Sequence, residues 1–190
     1  MRKSRVAAWF LVAACFAGHA YAGLIGAGVT SQYYAYGGVY NGFGSPTSFV
    51  ANGTVQDSFC TSSCPEGFNL TVSNTQIDYS LVGTGPWSAS TTSLSSGGLF
   101  IANGNLLTFT GVTITGVTLD AASTVPGLTQ SNITFNAGNI AIDWAGLSTG
   151  GQQVILDVTT TSTTSTPEPA VWITTLAGCA MIAARRLKRS

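Results

Sequence analysis

Leu106–Asp120 reads LLTFTGVTITGVTLD, and the spacing of its apolar residues decides the fold. Leu107 and Phe109 alternate with threonines. After Gly111, Val112 and Ile114 alternate in the same way, and after Gly116 so do Val117 and Leu119. Residues two apart share one face of an extended chain, so the stretch predicts one long strand, or two, kinked by Gly116. The echo of GVTIT in GVTLD does not recur, and a period of five is too short for a solenoid.

The same alternation runs along the rest of the chain. Phe68, Leu70 and Val72 share a face in FNLTVS, as do Ile77, Tyr79 and Leu81 in QIDYSL. Ile133 with Phe135, then Ile140, Ile142 and Trp144, then Val154, Leu156 and Val158 complete the set. These are patterns of half-buried strands. Turn signals separate them: Asn52-Gly53, Asn103-Gly104-Asn105, Pro126-Gly127, Asn136-Ala137-Gly138-Asn139 and Gly150-Gly151. Thr, Val, Ile, Ser and Gly dominate, the common helix formers are scarce, and no stretch carries a helical period. Residues 23–158 are long enough for one core. The expected fold is all-β: a single antiparallel β-sandwich, jelly-roll-like, with residues 159–166 (TTTSTTST) as a Ser/Thr linker that has no apolar partner to bury.

Charge is confined to the ends. All seven Lys and Arg lie at Arg2, Lys3, Arg5, Arg185, Arg186, Lys188 and Arg189, and the only histidine is His19. Between Gly23 and Thr166 the ionised side chains are Asp57, Glu66, Asp78, Asp120, Asp143 and Asp157, all negative. That region cannot form a side-chain salt bridge and has nothing to neutralise phosphates, which excludes nucleic acid as a partner. Its uniform charge favours solubility.

The missing residue types exclude most chemistry. Without histidine or lysine there is no Ser-His-Asp triad, Cys-His pair or lysine nucleophile, and histidine-dependent zinc sites go as well. GLIGAGVT, at Gly23–Thr30, lacks the third glycine of a dinucleotide loop and follows no strand, so it is expected to be a flexible N-terminus. A glycosidase needs only two acids and flanking aromatics; Asp78 beside Tyr79, Asp143 beside Trp144, and Trp87 would supply them. In IDYS and IDWA, however, each Asp alternates with apolar neighbours and is expected to face solvent. No catalytic residue is assigned. Six carboxylates leave a structural calcium ion open, but no D-x-D-x-D-G loop appears and no ligand is assigned; no other cofactor is expected.

Two further stretches carry alternatives. Cys60 and Cys64 in FCTSSCPEG form a C-x-x-x-C pair, read as a structural disulfide across a tight loop rather than a redox C-x-x-C. QYYAYGGVYNGFG, at Gln32–Gly44, sets Tyr33, Tyr34, Tyr36, Tyr40 and Phe43 among glycines. Exposed, these rings would stack on sugars or drive self-association. The plainer reading, that some cover the core and the rest belong to an edge strand, is the one taken.

The termini read as addresses. MRKSR, the apolar run Val6–Gly18 and Ala20-Tyr21-Ala22 make a secretory signal peptide, residues 1–22, cleaved before Gly23. At the other end stand Pro167-Glu168-Pro169, an apolar segment at residues 170–184, and a basic tail at 185–190. Fifteen helical residues reach about 22 Å, a marginal span of a core about 30 Å thick. Arg185, Arg186, Lys188 and Arg189 hold that end on the cytoplasmic side.

Together these C-terminal residues resemble the PEP-CTERM sorting signal of Gram-negative bacteria. The resemblance covers Pro167–Ser190 and none of the domain; Thr174, Thr175 and Cys179 make its apolar segment more polar than the usual Leu- and Gly-rich one. It implies two processing partners, signal peptidase and an exosortase, which is a membrane-embedded cysteine transpeptidase. It also implies anchoring in the inner membrane before cleavage, then the cell surface or extracellular matrix of a biofilm- or floc-forming bacterium that makes exopolysaccharide. The expected function is a non-enzymatic surface or matrix protein. The alternative is a carbohydrate-binding module using Trp87, Trp144 or the tyrosine cluster, and after it a secreted glycosidase.

Overall fold

The computed structural model describes residues 23–162 apart from 63, 90–93, 97 and 149. The signal-peptide residues Ala20 and Ala22, the Pro167–Pro169 motif, the apolar segment and the basic tail lie outside the described residues. Among the described residues no helix is long and apolar enough to cross a membrane.

In chain order the strands are β1 Gly28–Ala35, β2 Gly38–Val39, β3 Thr47–Val50, β4 Val55–Phe59, β5 Glu66–Val72, β6 Gln76–Gly83 and β7 Leu94–Ser96. They continue with β8 Leu99–Ile101, β9 Gly104–Thr110, β10 Val112–Leu119, β11 Ile133–Asn136, β12 Asn139–Asp143 and β13 Gln153–Ser162. One sheet runs β11-β12-β9-β1-β2, with β3 beside the first half of β1; the other runs β10-β13-β6-β5-β4. Every strand pair is antiparallel. The described residues are all-β, with two antiparallel sheets arranged as a sandwich. One buried cluster draws on both of them, including Val29, Leu107, Ile140 and Ile142 from the first and Phe68, Leu70, Ile77, Tyr79 and Leu156 from the second.

LLTFTGVTITGVTLD carries the chain from one sheet to the other. The break falls at Gly111, whose φ of 87° belongs to the left-handed region that favours glycine, and not at Gly116. Gly116 instead marks a register shift against β13. That bulge moves the alternation by one residue, so Ile114 and Val117 both face the core although they are three apart. A Cβ at Gly116 would stand 2.5 Å from Thr159 Oγ1, so a side chain there would have to displace that hydroxyl.

Four expectations change. Residues 159–162 are strand, not linker: β13 continues past Val158, Thr159 and Thr160 pair with Gly116 and Ile114, and Thr160 is buried. The backbone ladder of β10 holds this hydroxyl-rich run, which has no apolar side chains to do so. GLIGAGVT is not a loose end. Leu24 is fully buried, its N–H donates to Asn74 O at 2.7 Å, and Ala51 is tied to Ala27 at 2.9 Å. Gly104 and Asn105 are also strand, not turn, and Asn105 is fully buried because Tyr79 and Ser31 satisfy its side chain. Phe135, paired in the sequence with buried Ile133, is exposed.

A short ribbon, β7 with β8, covers the outer face of the first sheet. Leu99 and Ile101 pack there with Tyr34, Leu106 and Ala141. This is why Leu106 and Leu107 are both buried: β9 is covered on its two faces.

Candidate functional site

The registers bring five separated segments to one end of the sandwich. Tyr34 of β1 faces Gly104 at the start of β9, Phe59 at the end of β4 faces Phe68, and Glu66 at the start of β5 faces Gly83 at the end of β6. A pocket of about 310 Å³ opens here, walled by Tyr33, Tyr36, Tyr40, Phe43, Phe59 and Trp87, with Cys64, Pro65, Glu66 and Asn103 beside them.

Local chemistry fixes each wall. Gln32 Nε2 donates to Tyr40 O at 3.1 Å and Ser45 Oγ at 2.9 Å, and Tyr33 N–H donates to the same Oγ at 2.9 Å. These bonds hold the Tyr40–Ser45 loop against β1. Cys60 and Cys64 form a disulfide, Cα atoms 5.6 Å apart, that closes the turn between β4 and β5. Pro65 O accepts from Thr84 and Gly85 N–H, both at 2.9 Å, tying that turn to the end of β6. Asn103 is buried. Its N–H donates to Asp143 Oδ1 at 3.1 Å, its Nδ2 donates to Ser88 O at 3.0 Å, and its Oδ1 accepts from Tyr33 Oη.

The rings form a continuous series from the pocket inward. Tyr33 stacks on Phe59 with centroids 4.3 Å apart and meets Trp87 at 5.6 Å; Trp87 stacks on Trp144 at 5.9 Å. Trp144 meets Tyr79 edge-on at 5.3 Å. Tyr36 and Phe43 stand at the outer rim, 69% and 54% exposed. Both have left-handed backbone, φ 53° and 50°, as does Cys60 at 49°. Such conformations cost about 1–2 kcal/mol each and gather at ligand sites.

Among the described residues Glu66 is the pocket's only carboxylic acid. Its Oε2 is buried and has no hydrogen-bond partner among the described residues, and the same is true of Trp87 Nε1. Desolvation raises the Glu66 carboxyl above its ordinary range. Burial raises the Tyr33 phenol, and the neighbouring Glu66 charge adds to the effect.

The sequence candidates scatter. Trp87 reaches the pocket wall, yet it is 1% exposed and Trp144 is 0%, so neither offers an open face to a sugar. Both indoles instead belong to the buried core. Within the tyrosine cluster, Tyr33 and Tyr34 are buried in β1, which lies inside its sheet and not at an edge; Tyr36, Tyr40 and Phe43 reach the pocket. Asp78 is half-buried on β6 and accepts from Gln153 Nε2 of β13, away from the pocket lining. Asp143 is half-buried behind the pocket and accepts from Asn103 and Ala145 N–H, both at 3.1 Å, instead of facing open solvent. Among the described residues no three His, Cys, Asp or Glu side chains come together. Glu66, Asn103 and Phe59 were not singled out by the sequence. The one signal available was that Glu66 is the sole glutamate of residues 23–166, next to the cysteine loop. Compared with protein-family models, curated proteins and solved structures, the chain matches none of them.

Proposed function

We propose that the protein is an exported, non-enzymatic bacterial surface or matrix protein, delivered by an exosortase-type system, whose sandwich holds exopolysaccharide in the aromatic pocket. The observation that carries the binding part is the pocket itself. Tyr36, Tyr40 and Phe43 present aromatic surface at its mouth, while Glu66 and Asn103 bring polar groups beside them. Sugar rings have apolar C–H faces that stack on aromatics and hydroxyls that need polar partners. This supports a carbohydrate-binding module over a glycosidase, because hydrolysis takes two carboxylates and this lining has one among the described residues. The sorting part rests on the PEP-CTERM-like tail and the signal peptide.

Two measurements test the reading. Mass spectrometry of the protein from its native host should find a C-terminus near Pro167–Pro169; an intact Ser190 in the membrane-bound protein would reduce the tail to a plain anchor. Calorimetric titration with the host's own polysaccharide should show saturable binding that Tyr36→Ala weakens by about tenfold, on the order of 1.4 kcal/mol. A flat response across glycans would remove the module.

A further inference from the structure

We infer that the sugar this pocket selects is an amino sugar with a free, protonated amine, an inference that rests on the carbohydrate-binding reading above. Two buried polar atoms of the lining residues lack partners among the described residues, and they ask for opposite things. Glu66 Oε2 is an acceptor that needs a donor, and Trp87 Nε1 is a donor that needs an acceptor. Unmet buried groups of this kind are few in folded proteins and cost about 1–3 kcal/mol each.

An ammonium group on a pyranose answers Glu66, the one of the two whose side chain is partly exposed at the pocket. Its N–H groups donate to the carboxylate, and its positive charge sits among the aromatic walls. Other ligands fail on one count each. A neutral hexose leaves the carboxylate uncompensated, and an N-acetylated sugar has lost the charge. A uronate meets Glu66 and a domain with no cation between Gly23 and Thr166. A quaternary ammonium ion has no N–H for Glu66. The volume of about 310 Å³ lies at the small end of ligand pockets and suits a ring-sized unit. The side-chain charges of residues 23–166 are all negative and draw cations toward the domain.

The test is calorimetry on the full chain in mild detergent, at about pH 6, where an ordinary amine is protonated. The probes are glucosamine, glucose, N-acetylglucosamine and tetramethylammonium. Glucosamine should bind at least about tenfold more tightly than glucose or N-acetylglucosamine, and Glu66→Gln should bring it down to the level of glucose. Raising NaCl should weaken glucosamine binding to the unaltered protein and leave glucose unaffected, a readout that does not depend on the variant folding. Equal affinity for glucose and glucosamine, or no salt effect, overturns the amine and leaves the sugar site standing. Tetramethylammonium binding as well as glucosamine overturns the sugar requirement, and with it the amino-sugar assignment. No binding of any sugar, monomer or polymer, overturns both readings together.

Discussion

At the centre of the sandwich Tyr79 is fully buried, and its hydroxyl accepts from Asn105 Nδ2 at 3.0 Å, which also donates to Ser31 Oγ at 3.1 Å. It sits on β6, paired on both sides by β5 and β13. At the end of the sandwich Tyr36 and Phe43 are exposed, held in left-handed backbone on loops, beside a carboxylate oxygen with no partner among the described residues. The same residue types serve opposite purposes. Where two neighbouring strands fix the backbone, an aromatic ring completes the core and a polar partner can be built to meet its hydroxyl. Where loops fix it, ring surface and an unmet acceptor remain over, which is capacity for something outside the molecule.

The comparison breaks first if the centre proves loosely packed. Trp144→Ala removes a fully buried indole and should cost about 3–5 kcal/mol, against a total of about 5–15 for a domain of ordinary stability. Far-UV circular dichroism during urea unfolding measures it without relying on the lost fluorophore. A cost below about 1 kcal/mol would mean that the rings at the centre do not form a core.

Alkaline pH separates the two regions next. Burial raises the phenols of both Tyr79 and Tyr33. Above about pH 10 the unfolded chain has lost phenol protons that the folded state keeps, so stability is complete below that pH and falls above it. Each such tyrosine contributes a slope of about 1.4 kcal/mol per pH unit. Residues 23–166 hold no lysine to titrate in the same window. Tyr79→Phe should roughly halve the fall in melting temperature between pH 10 and 12. An unchanged slope would place the titrating groups elsewhere.

The disulfide sharpens the description of the pocket end. Cys60–Cys64 closes a loop with a sequence separation of 4, for which chain entropy predicts about 2 kcal/mol. Cys64→Ser should lower stability by that amount or less. Because Cys64 lines the pocket and its turn carries Glu66, the variant should also weaken sugar binding. Lost stability with unchanged binding would detach the turn from the site.

How much of this was legible in the sequence follows the same division. FNLTVS and QIDYSL showed their inward faces because every inward residue of those strands is apolar. GVTSQYYA hid its strand because Ser31 also points inward, made tolerable by Asn105, which lies 74 residues away in the chain. Leu24 and Asn74 illustrate the same blindness: a hydrogen bond from a distant turn anchors a segment that reads as a loose end. The two tryptophans were visible as aromatic mass, but alternation could not say that both rings are interior. The pocket was least legible. Its lining comes from five stretches that sheet register and long-range hydrogen bonds bring together, and none carries a local pattern pointing to the others.

The smallest effect on stability is expected where the effect on binding is large. Tyr36 at φ 53° bears the left-handed cost of about 1–2 kcal/mol, which glycine does not. Glycine in turn loses about 0.5–1 kcal/mol through a more flexible unfolded chain. Tyr36→Gly should therefore leave the melting temperature unchanged or slightly raised, since so exposed a ring contributes little packing. The same variant should lose most of its sugar affinity, because the ring at the pocket mouth is gone. If stability instead drops by several kcal/mol, Tyr36 belongs to the core after all. If binding survives intact, the rim is not where the sugar rests, and the difference between centre and end is one of packing alone.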